Sequence, residues 1–162
     1  MLDEFLTFAK DSSEGDAEST DLVAFVRTIV DLAAAHGGDV TMTPVDGECR
    51  LPIRRVAIQR AIENLINNAV RYGSKALISV IETPKQLTIR VEDDGPGIPE
   101  EQRAEAVKPF ARLDDSRNQN RVSGVGLGLS ITADAARAHG GRLSLGESKE
   151  LGGLRADIVL IK

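Results

Sequence analysis

The sequence of 162 residues contains one cysteine, Cys49, no tryptophan and only two histidines, His36 and His139. A single cysteine excludes an internal disulfide and any zinc site built from several cysteines. No apolar run approaches the roughly 20 residues that a transmembrane helix needs, and the acidic N-terminus is unlike a signal peptide. Since 41% of the residues are hydrophobic, we expect a buried core and a water-soluble domain from a reducing compartment.

The net charge of −5 is concentrated at the N-terminus. Residues 1–20 contain six acidic residues and one lysine, and the rest of the chain contains nineteen of each sign. The net charge of −5 argues against a nucleic-acid-binding module, which is usually basic. We expect residues 1–10 to be the end of a longer, truncated helix, residues 11–20 to be an acidic linker, and residues 21–162 to be the folded domain.

Beyond residue 20 the sequence alternates between helical and strand patterns. Apolar residues three or four positions apart predict helices over 22–35, 54–72 and 127–139, and Pro99 opens a short one. Alternating apolar residues predict strands over 39–45, 48–53, 76–82, 86–92, 142–145 and 154–161. We expect the first two strands to form a hairpin around Asp46-Gly47, and residues 111–125 to be a mobile loop. The order predicts helices on one face of a mixed sheet.

The helix over 54–72 carries an unusual group of amide side chains beside its apolar face. Asn64, Asn68 and Arg71 stand at positions i, i+4 and i+7, within about 60° of one another around the helix. An amide oxygen can bind Mg²⁺ and an arginine can bind phosphate oxygens. A solvated helix flank with a chance group of asparagines explains the pattern equally well, so the helix alone leaves both interpretations open.

An acidic, glycine-containing turn follows the strand over 86–92. Asp93 is the first residue beyond that strand and could accept a hydrogen bond from an amino group such as that of adenine. Gly95 and Gly97 would let a flat ring approach the backbone. A plain acidic turn is the simpler explanation when the segment is considered by itself.

Three alternate glycines, Gly124, Gly126 and Gly128, lead into the helix predicted from Leu127. Free backbone amides at a helix N-terminus, with glycines that permit close approach, can bind phosphate. A tight loop before a buried helix explains one or two of these glycines but explains three less well.

The segment before these glycines is basic and contains a single aromatic residue, Phe110. It is either a solvated loop or a lid whose cations fold over a polyphosphate. The cations in question are Lys108, Arg112, Arg117 and Arg121.

In this order and spacing, the four segments resemble the N, G1, F and G2 boxes of the histidine-kinase ATP-binding domain. That domain has the Bergerat (GHKL) fold shared with gyrase, Hsp90 and MutL. The resemblance covers residues 21–162 and implies an α/β (α+β) two-layer sandwich, in which a mixed, mostly antiparallel sheet of about five strands packs against three helices. ATP would lie between the helices and a lid over about residues 111–125. The ending Val70-Arg71-Tyr72-Gly73 and the N-terminal LDEFLTFAK look like those of osmosensor-type, membrane-tethered kinases. The resemblance implies that residues 1–10 are the C-terminal stub of a dimerisation and histidine-phosphotransfer helix.

The resemblance also implies a role for each matching residue. Asn68 would bind the Mg²⁺ that bridges the phosphates, Asn64 would support it, and Arg112 would reach the γ-phosphate. Asp93 would accept a hydrogen bond from the adenine amino group. The other residues expected to bind ATP are Arg71, Tyr72, Gly95, Gly97, Ile98, Lys108, Phe110, Gly124, Gly126, Leu127, Gly128 and Leu129.

One position distinguishes among the classes of this superfamily. ATP-hydrolysing relatives place a catalytic glutamate four residues before the Mg²⁺-binding asparagine, and here that position is Asn64. An amide cannot act as a general base, whereas a neutral imidazole is already a nucleophile, so a histidine kinase is favoured. His36 and His139 lack the sequence context of a phosphoacceptor, and we expect both to lie at helix C-termini.

The resemblance therefore implies the catalytic fragment of an ATP-dependent protein-histidine kinase of a two-component system. It would transfer the γ-phosphoryl group of ATP to a histidine on a dimerisation domain absent from this chain, and the full-length kinase would act with a response regulator. We expect a monomeric fragment, a homodimeric full-length protein, and a cytoplasmic location beneath an inner-membrane sensor, without contact to nucleic acid or membrane. The alternative is a GHKL nucleotide-binding or docking module without transfer activity.

Overall fold

The computed structural model describes residues 17–45, 47–106 and 119–162. The helices in these ranges are α1 (Leu22–Ala35), α2 (Arg55–Tyr72), α3 (Glu100–Ala106) and α4 (Gln119–Ala138). The strands are β1 (Glu18–Asp21), β2 (Val40–Met42), β3 (Arg50–Ile53), β4 (Ala76–Glu82), β5 (Gln86–Asp93), β6 (Arg142–Glu147) and β7 (Leu154–Ile161). No helix in the described ranges has both the length and the hydropathy required to cross a bilayer.

A five-stranded sheet in the order β2-β4-β5-β7-β6 forms one layer of the fold. The β2–β4 pair is parallel and the other three pairs are antiparallel. Helices α1, α2 and α4 form the second layer, and apolar side chains from both layers make one core that includes Ile62, Ile89 and Ile158. The predicted two-layer sandwich of a mostly antiparallel sheet and three helices is confirmed.

The central strand β5 determines where the polar end of the sheet lies. In the register of the sheet, Asp93 pairs with Ala76 of β4, and Glu92 pairs with Arg155 of β7. Because side chains alternate across a strand, Asp93 shares the helix-covered face with the buried Val91, while Glu92 points to the opposite face. A buried carboxylate therefore stands at the end of the central strand, under the helices.

The predicted hairpin around Asp46-Gly47 is wrong. Strand β2 pairs in parallel with β4, and β3 pairs antiparallel with β1 in a separate two-stranded sheet. Pro52 within β3 has no N–H to donate, which suits a short peripheral sheet better than the centre of a large one. Residues 18–20, expected in the linker, belong to β1. Alternating apolar residues indicate a strand but do not identify its partner, so sequence alone could not find this pairing.

Helix α4 begins earlier than predicted. It starts at Gln119, so residues 119–125, expected in the mobile loop, are helical. These residues have almost no apolar periodicity and include serine, asparagine and glycine, which are weak helix formers. Helix propensity is only a weak guide to secondary structure, and for these residues it gave no sign of the helix.

Both histidines lie just after helices, as predicted. His36 Nδ1 is 2.7 Å from the carbonyl oxygen of Leu32, and His139 Nδ1 is 2.7 Å from that of Ala135. In addition, His139 Nε2 accepts a hydrogen bond of 2.9 Å from the backbone N–H of Arg54, the residue before α2. Since Nε2 accepts, Nδ1 carries the proton, and the neutral ring joins the end of α4 to the start of α2. Burial lowers the pKa of His139.

We expect the neutral state of His139 to make the free energy of unfolding depend on pH. The unfolded chain takes up a proton below about pH 6.5, whereas the folded ring resists protonation, so stability is present above that pH and is lost as the pH falls. In His139→Gln, the slope of unfolding free energy between pH 7.5 and 5.5 should decrease, as measured by urea denaturation. His36→Gln, at the exposed end of α1, is the matched variant for loss of a histidine, against which the slope of His139→Gln is compared. An unchanged slope in His139→Gln would contradict this assignment.

Candidate nucleotide-binding site

The carboxylate of Asp93 is held in one orientation by two backbone amides. Its Oδ1 atom accepts hydrogen bonds from the N–H groups of Gly95, at 2.9 Å, and Leu154, at 3.0 Å. The residue is 6% exposed, and burial raises the pKa of its carboxyl, although the two amides oppose the rise. Both bonds fall on Oδ1, and no donor among the described residues is bonded to Oδ2, which can therefore accept a hydrogen bond from a ligand.

Two glycines around Asp93 are required by close backbone contacts. A Cβ atom at Gly153 would lie 2.3 Å from Oδ1 of Asp93, and one at Gly95 would lie 2.7 Å from the carbonyl oxygen of Tyr72. The N–H of Gly153 also donates to the carbonyl oxygen of Asp93, at 2.9 Å. Gly95, which the sequence assigns to ring approach, therefore also lets the turn after β5 pack directly on the end of α2.

Asp94 fixes the chain that leaves α2. Its Oδ1 atom accepts the backbone N–H groups of Ser74, at 2.6 Å, and Lys75, at 3.1 Å, while the Ser74 hydroxyl donates to Oδ2. These hydrogen bonds, the side-chain bond from Ser74 first, lower the pKa of Asp94 to about 2. The end of α2 and the end of β5 are thus bonded to each other, which brings the asparagine-bearing helix beside Asp93.

The polar side of α2 carries Asn64, Asn68 and Arg71, as their spacing predicts, and Tyr72 stands one turn after Asn68. The Nδ2 atom of Asn68 and the hydroxyl of Tyr72 are buried and have no hydrogen-bond partner among the described residues. Residues four apart lie on the same side of a helix, so these two atoms share one side of α2. The guanidinium of Arg71 lies 5.6 Å from the centre of the Tyr72 ring.

These unpartnered atoms fit a site for a polar ligand. A buried polar group without a partner costs about 1–3 kcal/mol, and a ligand that supplies the partner removes that cost. The amide of Asn68 can present its nitrogen to a phosphate oxygen or its oxygen to Mg²⁺, which prefers oxygen ligands. The chemistry of this side of α2 is therefore compatible with a magnesium-bound nucleotide.

The turn after β5 is also held in place. Gly97 has a φ of +73°, in the left-handed region that favours glycine. Ile98 is buried in the core, and its carbonyl oxygen accepts a hydrogen bond of 2.9 Å from Nε of Arg103 in α3. The structure thus places Gly95, Gly97 and Ile98 in one fixed turn next to Asp93.

Of the remaining predicted residues, three lie outside the described part of the chain and five lie within α4. Lys108, Phe110 and Arg112 lie outside the described residues. Gly124, Gly126, Leu127, Gly128 and Leu129 all lie within α4, and the side chain of Leu129 is fully buried in the core. Because α4 begins at Gln119, the amides from Gly126 to Leu129 lie in its interior, where N–H groups bond to preceding carbonyls. The prediction that they are free amides at a helix start is wrong for this structure.

The sequence does not identify two groups that hold Asp93, the amides of Gly153 and Leu154. They act through the backbone, which leaves no characteristic side chain. The available signal was the pair Gly152-Gly153 before the last strand, which resembles the last glycine box of the kinase family only loosely.

Comparisons with known proteins place the chain in a family. The profile of the histidine kinase-, DNA gyrase B- and HSP90-like ATPases matches residues 53–161. The chain is 36% identical to the sensor protein RstB of Escherichia coli K12, over 96% of this chain and 37% of RstB, so it spans little more than a third of that relative.

Solved structures show the same fold. The ATP-binding domain of PrrB from Mycobacterium tuberculosis matches with a TM-score of 0.74 and 27% identity, over 90% of this chain and 97% of that one. The histidine kinase domain of the E. coli osmosensor EnvZ matches with a TM-score of 0.69 and 34% identity, over 91% of this chain and 90% of that one. The chain therefore belongs to the histidine kinase-, DNA gyrase B- and HSP90-like ATPase family, as an ATP-binding catalytic domain of the sensor histidine kinase type.

Proposed function

We propose that this domain binds ATP with Mg²⁺ and transfers the γ-phosphoryl group to a histidine on the dimerisation domain of a longer sensor kinase. One observation carries the proposal. The buried carboxylate of Asp93 has one oxygen held by two backbone amides, and no donor among the described residues is bonded to the other. Asp94, the next residue, is hydrogen-bonded to the chain that leaves α2, the helix that bears the unpartnered Asn68 and Tyr72 atoms.

Asp93 would recognise the base of the nucleotide. Adenine presents an exocyclic amino group, and its N–H can donate to Oδ2 of Asp93. Guanine presents a carbonyl oxygen at the same position of the ring, which a carboxylate repels. The fixed turn with Gly95, Gly97 and Ile98 would form the adjoining wall. Recognition of adenine rather than guanine follows from this arrangement.

The polar side of α2 would bind the phosphate end of the nucleotide. Asn68, supported by Asn64, would hold Mg²⁺, and the exposed guanidinium of Arg71 would bind phosphate oxygens. The bound ion would neutralise charge that develops on the phosphates during transfer. Lys108, Phe110 and Arg112 are proposed to complete the site from the segment between α3 and α4.

Phosphate binding by the amides from Gly126 to Leu129 would require the first turns of α4 to unwind. Gly124, Gly126 and Gly128 lie in that part of the helix, and each glycine weakens it by about 1 kcal/mol relative to alanine. Unwinding up to Leu127 would expose amides at a new helix N-terminus, where the helix dipole also favours an anion.

The same site is unsuited to the activation of water. Asn64 stands one turn before Asn68, at the position where ATP-hydrolysing relatives carry a glutamate that acts as the general base. An amide does not accept a proton at neutral pH. A histidine acceptor needs no such base, since the neutral imidazole is itself the nucleophile. The proposed partners are therefore the acceptor domain of the homodimeric kinase and a response regulator, with the domain on the cytoplasmic side of an inner membrane.

Asn68→Ala should remove the Mg²⁺-dependent part of ATP affinity, because the side chain proposed to bind the ion is lost. We expect calorimetric titration to show affinity at least about tenfold weaker with Mg²⁺, and little difference in excess chelator. Asn67→Ala is the matched control, since Asn67 is exposed and lies about 100° around α2. Equal Mg²⁺-dependent affinity for Asn68→Ala and Asn67→Ala would overturn the proposed site.

Transfer itself is tested by mixing this domain with γ-labelled ATP, Mg²⁺ and a separately purified, histidine-containing dimerisation domain from the full-length kinase. We expect acid-labile label on the added domain and none on His36 or His139, whose Nδ1 atoms contact helix carbonyls. Binding of ATP without label on the acceptor would indicate a nucleotide-binding or docking module instead.

A further inference from the structure

Ser148 is a buried serine that links the turn between β6 and β7 to the strand that ends in Asp93. Only 1% of the residue is exposed, and its hydroxyl donates to Oε1 of Glu92, at 3.0 Å. The same hydroxyl oxygen accepts the N–H of Leu151, at 3.0 Å. Glu92 immediately precedes Asp93, so Ser148 is bonded to the residue next to the proposed base-recognition carboxylate.

The backbone of Ser148 sets the shape of the turn. Its N–H donates to the carbonyl oxygen of Gly153, at 2.8 Å, and its own carbonyl oxygen accepts the N–H of Gly152, at 2.9 Å. Gly152 has a φ of +88°, a left-handed conformation that closes the turn. Residues 148–153 therefore form a closed loop with Ser148 at its base, and this loop delivers the amides of Gly153 and Leu154 to Asp93.

The loop holds the end of β5 from both faces of the sheet. Glu92 and Asp93 point to opposite faces because they are consecutive in a strand. On one face the Ser148 hydroxyl bonds to Glu92, and on the other the Leu154 amide bonds to Asp93. A shift of the loop would therefore move the Leu154 amide away from Oδ1.

Glu92 is a suitable anchor because charged side chains surround it on its face of the sheet. It is 6% exposed, and in the register of the sheet it lies opposite Arg155. On the same face, Arg90 makes two hydrogen bonds to Asp157, at 2.8 and 3.1 Å. A buried carboxylate is tolerated where polar and charged groups compensate it, so the Ser148–Glu92 contact can be maintained at the strand end.

We propose that Ser148 and Glu92 are positioning residues that set the orientation of the Asp93 carboxylate and thereby the base specificity of the site. This inference rests on the proposed recognition of adenine by Asp93. Loss of the Ser148 hydroxyl removes the side-chain anchor of the loop on Glu92, so the Leu154 amide is held less firmly against Oδ1 and the carboxylate is less restrained from rotating. The Oδ2 atom then no longer has a fixed position relative to the adenine amino group, and the preference of the site for adenine over guanine decreases.

The experiment compares the affinities of this chain for ATP and GTP by calorimetric titration. In Ser148→Ala and Glu92→Ala, the ratio of the two affinities should fall about tenfold relative to wild type, the size expected for one misplaced hydrogen bond. Glu92→Gln keeps an acceptor oxygen for Ser148 and should retain most of the wild-type ratio. Ser144→Ala, on the neighbouring part of β6, is the control for loss of a serine hydroxyl.

A second measurement follows the Leu154 amide resonance by NMR in the protein without nucleotide. The chemical shift of this resonance should change in Ser148→Ala and stay the same in Ser144→Ala.

The outcomes separate this inference from the function on which it rests. A purely structural role for Ser148 would lower the melting temperature and leave both the affinity ratio and the Leu154 resonance unchanged, which would overturn the inference alone. If the wild-type chain binds ATP and GTP equally, recognition of adenine by Asp93 fails and the inference fails with it. If Ser148→Ala does not fold, the ratio of ATP to GTP affinity in Glu92→Ala is compared with that in Glu92→Gln. A lower ratio in Glu92→Ala supports the inference, and equal ratios overturn it.

Discussion

The hydrogen bonds from two backbone amides to a single oxygen of Asp93 are the constraint on which the site depends. They join the end of the central strand, the turn after it and the start of β7 at one carboxylate. The approach is so close that Gly153 has no room for a side chain. The consequence is chemical as well as structural, since one oxygen is bonded to the backbone, and the other, which has no donor among the described residues, is the one that we propose binds the nucleotide. A side chain free to rotate would not discriminate between donors in this way.

Helix α2 extends this constraint into the rest of the fold. At the C-terminal end of α2, Asp94 is hydrogen-bonded to Ser74 and Lys75. These bonds hold the end of the helix near Asp93 and so fix the proposed base site and the proposed metal site relative to each other. At its N-terminal end, His139 joins it to α4, the helix that contains the alternate glycines. Apolar packing holds the body of α2 on the sheet, and polar contacts hold both ends. We infer that the relative placement of the two motif-bearing helices depends on these end contacts.

Much of this arrangement could be predicted from the sequence, for identifiable reasons. The bounds of α1, α2, β4 and β5 follow from regular apolar spacing. The roles expected of Asn68 and Asp93 came from the resemblance of four segments taken together, since neither segment alone distinguished a site from a plain helix flank or turn. The pairing of β3 with β1 could not be predicted, because pairing depends on residues distant in sequence. The start of α4 was missed because its first turns lack apolar periodicity. Gly153, Leu154 and Ser148 were missed because two contribute backbone amides and the third contacts the site only through its neighbours.

The most direct test of this account is the affinity of the wild-type chain for purine riboside triphosphate, which differs from ATP in lacking the exocyclic amino group. If Oδ2 of Asp93 accepts a hydrogen bond from that group, calorimetric titration with Mg²⁺ should show binding about tenfold or more weaker than that of ATP, because a buried carboxylate oxygen is left without its donor. Equal affinity for the two nucleotides would show that Asp93 does not recognise the amino group, and would contradict the account at its centre.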